Sequence, residues 1–177
     1  IGPIDAIFTG ESEICLPEAL ERARKKAPLS GIPGIVTREE VFQPKDSLPP
    51  IPENLDALPM PDASDYFAAL EGAQIPQDVD PILFLETSRG CWWGQRKACR
   101  FCGVDPHSLP FRSKSAPRVF AELSAAVKQH QVKKVRFVDN VMDPHYARTL
   151  LPMIRDGGLS VQLFYEIRAG LSRAQVC

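Results

Sequence analysis

Cys91, Cys99 and Cys102 are three of the chain's five cysteines, and they fall on one stretch, Glu86-Thr87-Ser88-Arg89-Gly90-Cys91-Trp92-Trp93-Gly94-Gln95-Arg96-Lys97-Ala98-Cys99-Arg100-Phe101-Cys102. Their spacing is CxxxxxxxCxxC. A single cysteine is most simply a small buried hydrophobe. Three on one polar, glycine-containing loop, among Arg89, Arg96, Lys97 and Arg100, are poor core material and look placed to hold a metal centre. Zinc would need four ligands in a structural site. The nearest further candidates are His107, just after Cys102, and Cys15, far earlier in the chain. A cubane iron–sulfur cluster takes one thiolate per iron. Three thiolates would therefore leave one iron open for a small molecule.

The elements that must position this loop can be read from hydrophobic pattern. Ile82-Leu83-Phe84-Leu85 reads as a buried strand within Pro81 to Glu86, so the cysteines follow a strand's C-terminal end. After the loop, Thr87 to Lys114, a helix is expected from Ser115 to about Gln129. Ser115 is its N-cap, and Val119, Phe120, Leu123, Ala126 and Val127 form one apolar face. A strand from Lys134 to Val138 comes next. A second helix is expected from Pro144 to about Asp156, with Asp143 as N-cap, a Gly157-Gly158 stop, and Pro152 kinking or interrupting it. The last strand is Ser160 to Ile167. This β-α-β-α-β order predicts a parallel sheet or the opening strands of a barrel.

Upstream, Ile4 to Phe8 reads as a strand, Thr9 to Glu13 as a loop, and Pro17 to about Lys26 as a helix with acidic residues early and cations late. Residues 43–80 are expected to be a linker. Pro44, Pro49, Pro50, Pro52, Pro59 and Pro61 remove donors and fix φ, and a short helix from Phe67 to Gly72 would anchor the linker on the next domain. The domains expected are thus 1–42, 43–80 and 81–177.

Composition bounds the rest. The chain has 177 residues, 44% hydrophobic and 24% charged, with net charge −1. That is ordinary globular composition, without the basic excess that would point to nucleic acid or a membrane surface. No apolar run is long enough to span a membrane, and the N-terminus lacks a signal-peptide pattern. An odd number of clustered cysteines argues against a disulfide framework and for a reducing, cytoplasmic setting. The chain starts in mid-pattern without Met and ends at Cys177, after what reads as the start of a helix. It is expected to be an internal piece of a longer protein.

The motifs ETSRGCWWG…CRFCG, FRSKS, FVDN and FYEIRAGL, with Phe101 before the last cysteine, resemble the cobalamin-dependent radical S-adenosylmethionine (SAM) proteins. Within those they look most like C-methyltransferases that mature ribosomally made peptides (RiPPs). The resemblance covers most of the chain, and the loop is a spaced-out variant of that superfamily's CxxxCxxC. It implies an α/β fold: the last β-α unit of a cobalamin-binding Rossmann-like domain, then the first strands and helices of a TIM-type (β/α) barrel. It implies a [4Fe-4S] cluster on Cys91, Cys99 and Cys102, with SAM on the open iron as a source of the 5′-deoxyadenosyl radical.

Phe101 would then lie near the adenine. Asp139 and Asn140, ending the second strand, would stand where the family contacts the SAM amino group, although the usual Gly-Gly-Glu is absent; Asp139 could equally cap the next turn. Glu166 and Arg168 would contact SAM from the third strand's end, or form a solvated salt bridge. Arg112 could meet the SAM carboxylate or stay solvated. Trp92 and Trp93 could wall the site or pack. Gly10 and Glu11 would approach the cobalamin nucleotide tail, where a glycine permits close backbone approach. His130 and His145, beside helix ends, read as structural or solvated. A peptide substrate and an electron donor such as flavodoxin or ferredoxin are the implied partners. The alternatives are a radical SAM enzyme of other chemistry and a non-catalytic zinc-binding module.

Overall fold

The computed structural model describes residues 4–38, 50–73, 80–97, 99–104 and 110–170. Two units divide between Glu53 and Asn54.

In the first unit, β1 (Ala6–Phe8) pairs with β2 (Ile35–Thr37), Ile7 opposite Val36. The pairing is antiparallel, so the described residues of this unit form a two-stranded ladder. Between the strands runs α1 (Cys15–Arg24). It begins two residues before Pro17, which sits in the first turn, where its missing N–H leaves no hydrogen bond unmade. Cys15 is buried with Ala19, Ile32 and Ile35, which makes it a core thiol of this unit.

The second unit takes in much of the expected linker. Leu55–Ala57 form a 3-10 turn with Leu55 buried, and α2 spans Ser64–Gly72. The helix is held at its start by Asp62, whose Oδ1 accepts from the Ser64 N–H at 2.9 Å. Phe67 of α2 stacks on His130 with ring centroids 4.3 Å apart, which gives that histidine a packing role. The proline-rich segment therefore behaves from Asn54 onward as a strap on the second unit.

The sheet is parallel, as expected from the β-α-β-α-β rhythm. β3 (Ile82–Leu85) is followed by the short β4 (Ser88–Arg89) and β5 (Arg112–Ser113). Next come α3 (Ala116–His130), β6 (Lys134–Phe137), α4 (Leu150–Asp156) and β7 (Gln162–Phe164). The sheet order is β3-β6-β7, with Leu83 opposite Val135 and Val135 opposite Leu163. Alternation sets the two faces. Leu83, Leu85, Val135 and Phe137 point into a core shared with Val119 and Leu123 of α3 and Leu150 and Ile154 of α4. Ile82, Phe84 and Phe164 point the other way and are exposed.

α3 starts as its sequence predicts. Ser115 Oγ accepts from the Arg118 N–H, and Asp56 Oδ1 accepts from the Ser115 N–H at 2.7 Å. The second helix does not run unbroken from Pro144. A 3-10 turn spans Pro144–Ala147, capped by Asp143, and α4 begins at Leu150. The break falls at Arg148 and Thr149 because Pro152 has no N–H to give the Arg148 carbonyl four residues back. Pro152 itself lies harmlessly in the first turn of α4. Gly158, with φ +68°, ends the element in the left-handed region that glycine adopts freely.

Gly157 carries a different constraint. Its φ of −75° suits any residue, but a Cβ there would lie 2.5 Å from Phe120 Cζ and 2.9 Å from the Met153 carbonyl oxygen. Gly157→Ala is therefore expected to destabilise the unit by about 1–3 kcal/mol through overpacking. In the absence of the clash, the same change would stabilise by a few tenths to about 1 kcal/mol. Urea unfolding of the variant distinguishes the two signs.

Candidate cysteine-loop site at the carboxyl edge of the sheet

The three parallel strands end on one edge, and the residues just beyond them meet there. Ligand sites in parallel α/β sheets form at this edge. From β3 come Glu86 to Cys91, from β6 Val138 to Asp143, from β7 Tyr165 to Arg168.

The cysteine loop leaves β3 through a closed neck. β4 pairs antiparallel with β5, Ser88 opposite Ser113 and Arg89 opposite Arg112, so both ends of the excursion are zipped together. Arg112 is thereby a ladder residue, and its Nε also donates to the Pro110 carbonyl at 3.3 Å.

Beneath the ladder lies a buried polar hub on Thr87, which is fully buried. Its N–H donates to Asp139 Oδ1 at 2.8 Å, and its hydroxyl donates to Asp139 Oδ2. The Thr87 carbonyl accepts from the Lys114 N–H at 2.8 Å. Tyr165 donates to Thr87 Oγ1 at 3.2 Å, while the Tyr146 hydroxyl lies 2.7 Å from the Lys114 carbonyl and 3.1 Å from that of Thr87. Ser88 Oγ lies 3.0 Å from Asp139 Oδ2. Burial pushes the Asp139 carboxyl above the ordinary range, partly offset by its Thr87 and Ser88 donors. Burial likewise pushes the phenols of Tyr146 and Tyr165 upward, so both stay neutral donors.

Both Asp139 carboxylate oxygens face the neck of the loop. Asn140 also turns to the loop, its Nδ2 donating to the Gly90 carbonyl at 3.4 Å. Thr87, Ser88, Tyr146, Tyr165 and Lys114 do not stand out as site residues from sequence alone. The signal that could find them is the pair of small hydroxyl residues directly after a buried strand, where a carboxylate on the neighbouring strand end can reach them.

Cys91 follows Gly90, whose φ of +77° turns the chain sharply at the loop's root. The Gly94 N–H donates to Cys91 Sγ at 3.3 Å, and the Gln95 N–H to the Cys91 carbonyl at 3.0 Å. Cys99 and Cys102 share a turn, with the Cys102 N–H on the Cys99 carbonyl at 3.2 Å. All three thiols are free; Cys91 and Cys99 are half-buried and Cys102 is exposed. Among the described residues no three of His, Cys, Asp or Glu converge as a site for one ion. Of the extra zinc candidates, Cys15 is core of the first unit and His107 lies outside the described residues. The donor set nevertheless suits an iron–sulfur cluster, which asks one thiolate of each iron and is tuned by N–H donors to its sulfurs.

Aromatic residues flank the root. Trp92 Nε1 donates to the Met142 carbonyl at 3.1 Å, and Trp93 meets Trp92 edge-on. Arg168 lies over the Trp93 ring at 3.6 Å. Its guanidinium face is therefore engaged by the loop, a contact that the sequence does not announce. Trp92, Met142, Pro144, Ile167, Arg168, Ala169 and Gly170 line a cavity of about 170 Å³. Glu166 is exposed and pairs with Arg136 at 3.7 Å. Phe101 stands 93% exposed on the loop. His145 is exposed beside Asp143, at 2.8 Å. Gly10, with φ +73°, and Glu11 belong to the first unit, where the Thr9 N–H donates to the Gly34 carbonyl at 2.8 Å. Among the described residues no helix is long and apolar enough to cross a membrane.

No protein-family profile matches the chain. It is 28% identical over 151 residues to an uncharacterized methyltransferase of Pyrococcus horikoshii, covering 83% of this chain and 30% of that protein. It is 28% identical over 124 residues to the hopanoid C-3 methylase of Methylococcus capsulatus, covering 69% of this chain and 22% of that protein. The chain therefore spans less than a third of the length of either relative. The structure of the radical S-adenosylmethionine methyltransferase TsrM from Kitasatospora setae, bound to tryptophan and a SAM analogue, superposes with a TM-score of 0.64 at 14% identity. That match covers 97% of this chain and 34% of TsrM. The chain's relatives in sequence are methyltransferases, and it shares its α/β fold with a radical SAM methyltransferase.

Proposed function

We propose that the chain belongs to a cobalamin-dependent radical SAM C-methyltransferase acting on a ribosomally made peptide. In this reading it contributes the end of the cobalamin-binding domain and the opening part of the barrel. The carrying observation is the set of three free thiols on an excursion whose neck is closed at the carboxyl end of the first parallel strand. Cys91, Cys99 and Cys102 would hold a [4Fe-4S] cluster. When bound, the cluster supplies the one-electron chemistry that makes SAM a radical source; the protein contributes binding, orientation and exclusion.

The chain's own residues have separable tasks in this reading. The Gly94 N–H, already aimed at Cys91 Sγ, would temper the charge on that sulfur. Glu166, exposed at the third strand's end, would accept from the SAM amino group. Arg168, with its flat face on Trp93, keeps the N–H donors on its edge for a carboxylate. Phe101 would fold onto the adenine. Gly10 and Glu11 would meet the cobalamin tail. The peptide, a flavodoxin- or ferredoxin-like electron donor and a cytoplasmic location complete the proposal.

Anaerobic reconstitution of the full-length protein tests it. About four irons and about four sulfides per chain are expected, with an EPR signal that changes on adding SAM and a peptide product heavier by one methyl group. A protein that takes up one zinc and no iron would overturn the reading.

A further inference from the structure

Four consecutive residues after β6 face the cysteine loop near its root, Asp139 and Val141 sharing the single proton of the Ser88 hydroxyl. Asp139 takes the Thr87 N–H at 2.8 Å, the Thr87 hydroxyl, and the Ser88 hydroxyl at 3.0 Å. Asn140 Nδ2 donates to the Gly90 carbonyl at 3.4 Å. The Val141 carbonyl lies 3.3 Å from Ser88 Oγ, and the Met142 carbonyl accepts from Trp92 Nε1 at 3.1 Å. The tethered positions are 87, 88, 90 and 92, on both sides of Cys91.

We infer that residues 139–142 form a splint that presets Cys91, and that Asp139 is its main positioning residue instead of a contact to SAM. The inference rests on the proposed cluster for its consequence, but not for its geometry.

Asp139 has little to offer a ligand. It is 3% exposed, and both oxygens already accept from the neck. Its anchoring point, Thr87, is also tied to Tyr165 and to the Lys114 N–H, so the splint rests on a base that the other strand ends hold still. Cys99 and Cys102 contrast with this. Among the described residues their loop segment shows a local turn, the Cys102 N–H on the Cys99 carbonyl. Cys91 is therefore a thiol whose root is set before any metal arrives. Groups that hold a metal ligand in place commonly change metal affinity 10–100-fold when removed.

The test uses the full-length protein with Asp139→Ala and Asp139→Asn. In the metal-free protein, alkylation of each cysteine is followed by peptide mass spectrometry. Asp139→Ala should raise the Cys91 rate selectively, with Cys99 and Cys102 unchanged. Asp139→Asn should restore most of the protection, because its amide oxygen still accepts from the Thr87 N–H. After reconstitution, Asp139→Ala should lose iron to a chelator about tenfold faster, the low end of the range for groups that hold a metal ligand in place. Should Asp139→Ala fail to fold, Trp92→Phe removes the indole N–H that reaches Met142 and keeps an aromatic ring; it should raise Cys91 alkylation in the same selective way.

Unchanged Cys91 reactivity and iron retention with weakened SAM binding would make Asp139 a cofactor contact and overturn the inference. A uniform rise at all three cysteines would overturn it too, since that reports general loosening. If the wild-type protein takes up no iron, the cluster reading fails while the alkylation result still judges the splint.

Discussion

Under the proposed function, Cys102→Ala should leave the fold standing and remove the chemistry. Cys102 is exposed and free, so its truncation should change unfolding free energy by no more than about 0.5 kcal/mol. Iron retention after anaerobic reconstitution should collapse, and methyl transfer by the full-length protein should fall by roughly 10⁴-fold or more, as when one member of an interdependent catalytic set is removed. Cys91→Ala and Cys99→Ala should behave alike on iron and activity. Cys15→Ala is the control with the reverse pattern: its thiol is buried against Ala19, Ile32 and Ile35, so stability should drop while iron content stays. Iron and sulfide analysis beside a thermal melt reads both quantities. A loop-cysteine variant that keeps full iron and full turnover would remove the basis for the proposed function.

The largest stability effect is expected some distance from the thiols. Lys114 Nζ lies 2.7 Å from Glu122 Oε2, and both side chains are only 3% exposed. Arg118 Nε meets the other Glu122 oxygen at 2.7 Å. Glu122→Ala strips the buried ammonium of its counter-charge and should cost about 3–5 kcal/mol in denaturant unfolding. Replacing the pair together, Lys114→Met with Glu122→Leu, should recover most of that loss. Apolar residues of similar volume avoid the desolvation penalty, and the half-buried Arg118 can turn to water. A cost below about 1 kcal/mol for Glu122→Ala, the level of a surface pair, would mean that the ion pair is not buried in solution. The pair also bears on the loop: the Lys114 backbone closes the neck through the Thr87 carbonyl and the Tyr146 hydroxyl.

The sequence is most readable where a local pattern decides. The Ser115 cap, the apolar face of α3, the three-strand rhythm and the cysteine loop at a strand end all depend on residues close in the chain. The break at Arg148 and Thr149 is also local, since it is caused by Pro152, but its offset by one turn shifts the expected helix. Partners set by long-range folding cannot be read in this way. A carboxylate at a strand end looks the same whether it faces a ligand or turns back on a neighbouring strand. Asp139 turns back because Thr87 and Ser88, about 50 positions earlier, present their donors at the same depth. Glu122 reads as a solvated helix charge until Lys114 is seen beneath it, although its place three residues after Val119 puts it on the apolar face. For Arg168 the resemblance implies a cofactor contact and the local pattern a solvated salt bridge; the ring of Trp93 can be placed under it only by bringing the loop and the third strand together.

The Thr87 hub also carries information about order of assembly. Its bonds bridge 52 positions to Asp139, 59 to Tyr146 and 78 to Tyr165. Closing such long segments costs entropy before any contact repays it. The last of these bonds cannot form until β7 has joined the sheet, so the neck tightens late. The thiols beyond it would acquire their final spacing only after the surrounding sheet is complete. Until the third strand is made, the splint on Cys91 rests on an incomplete base, so under the proposed function that interval is the one in which wrong metals or oxidants compete.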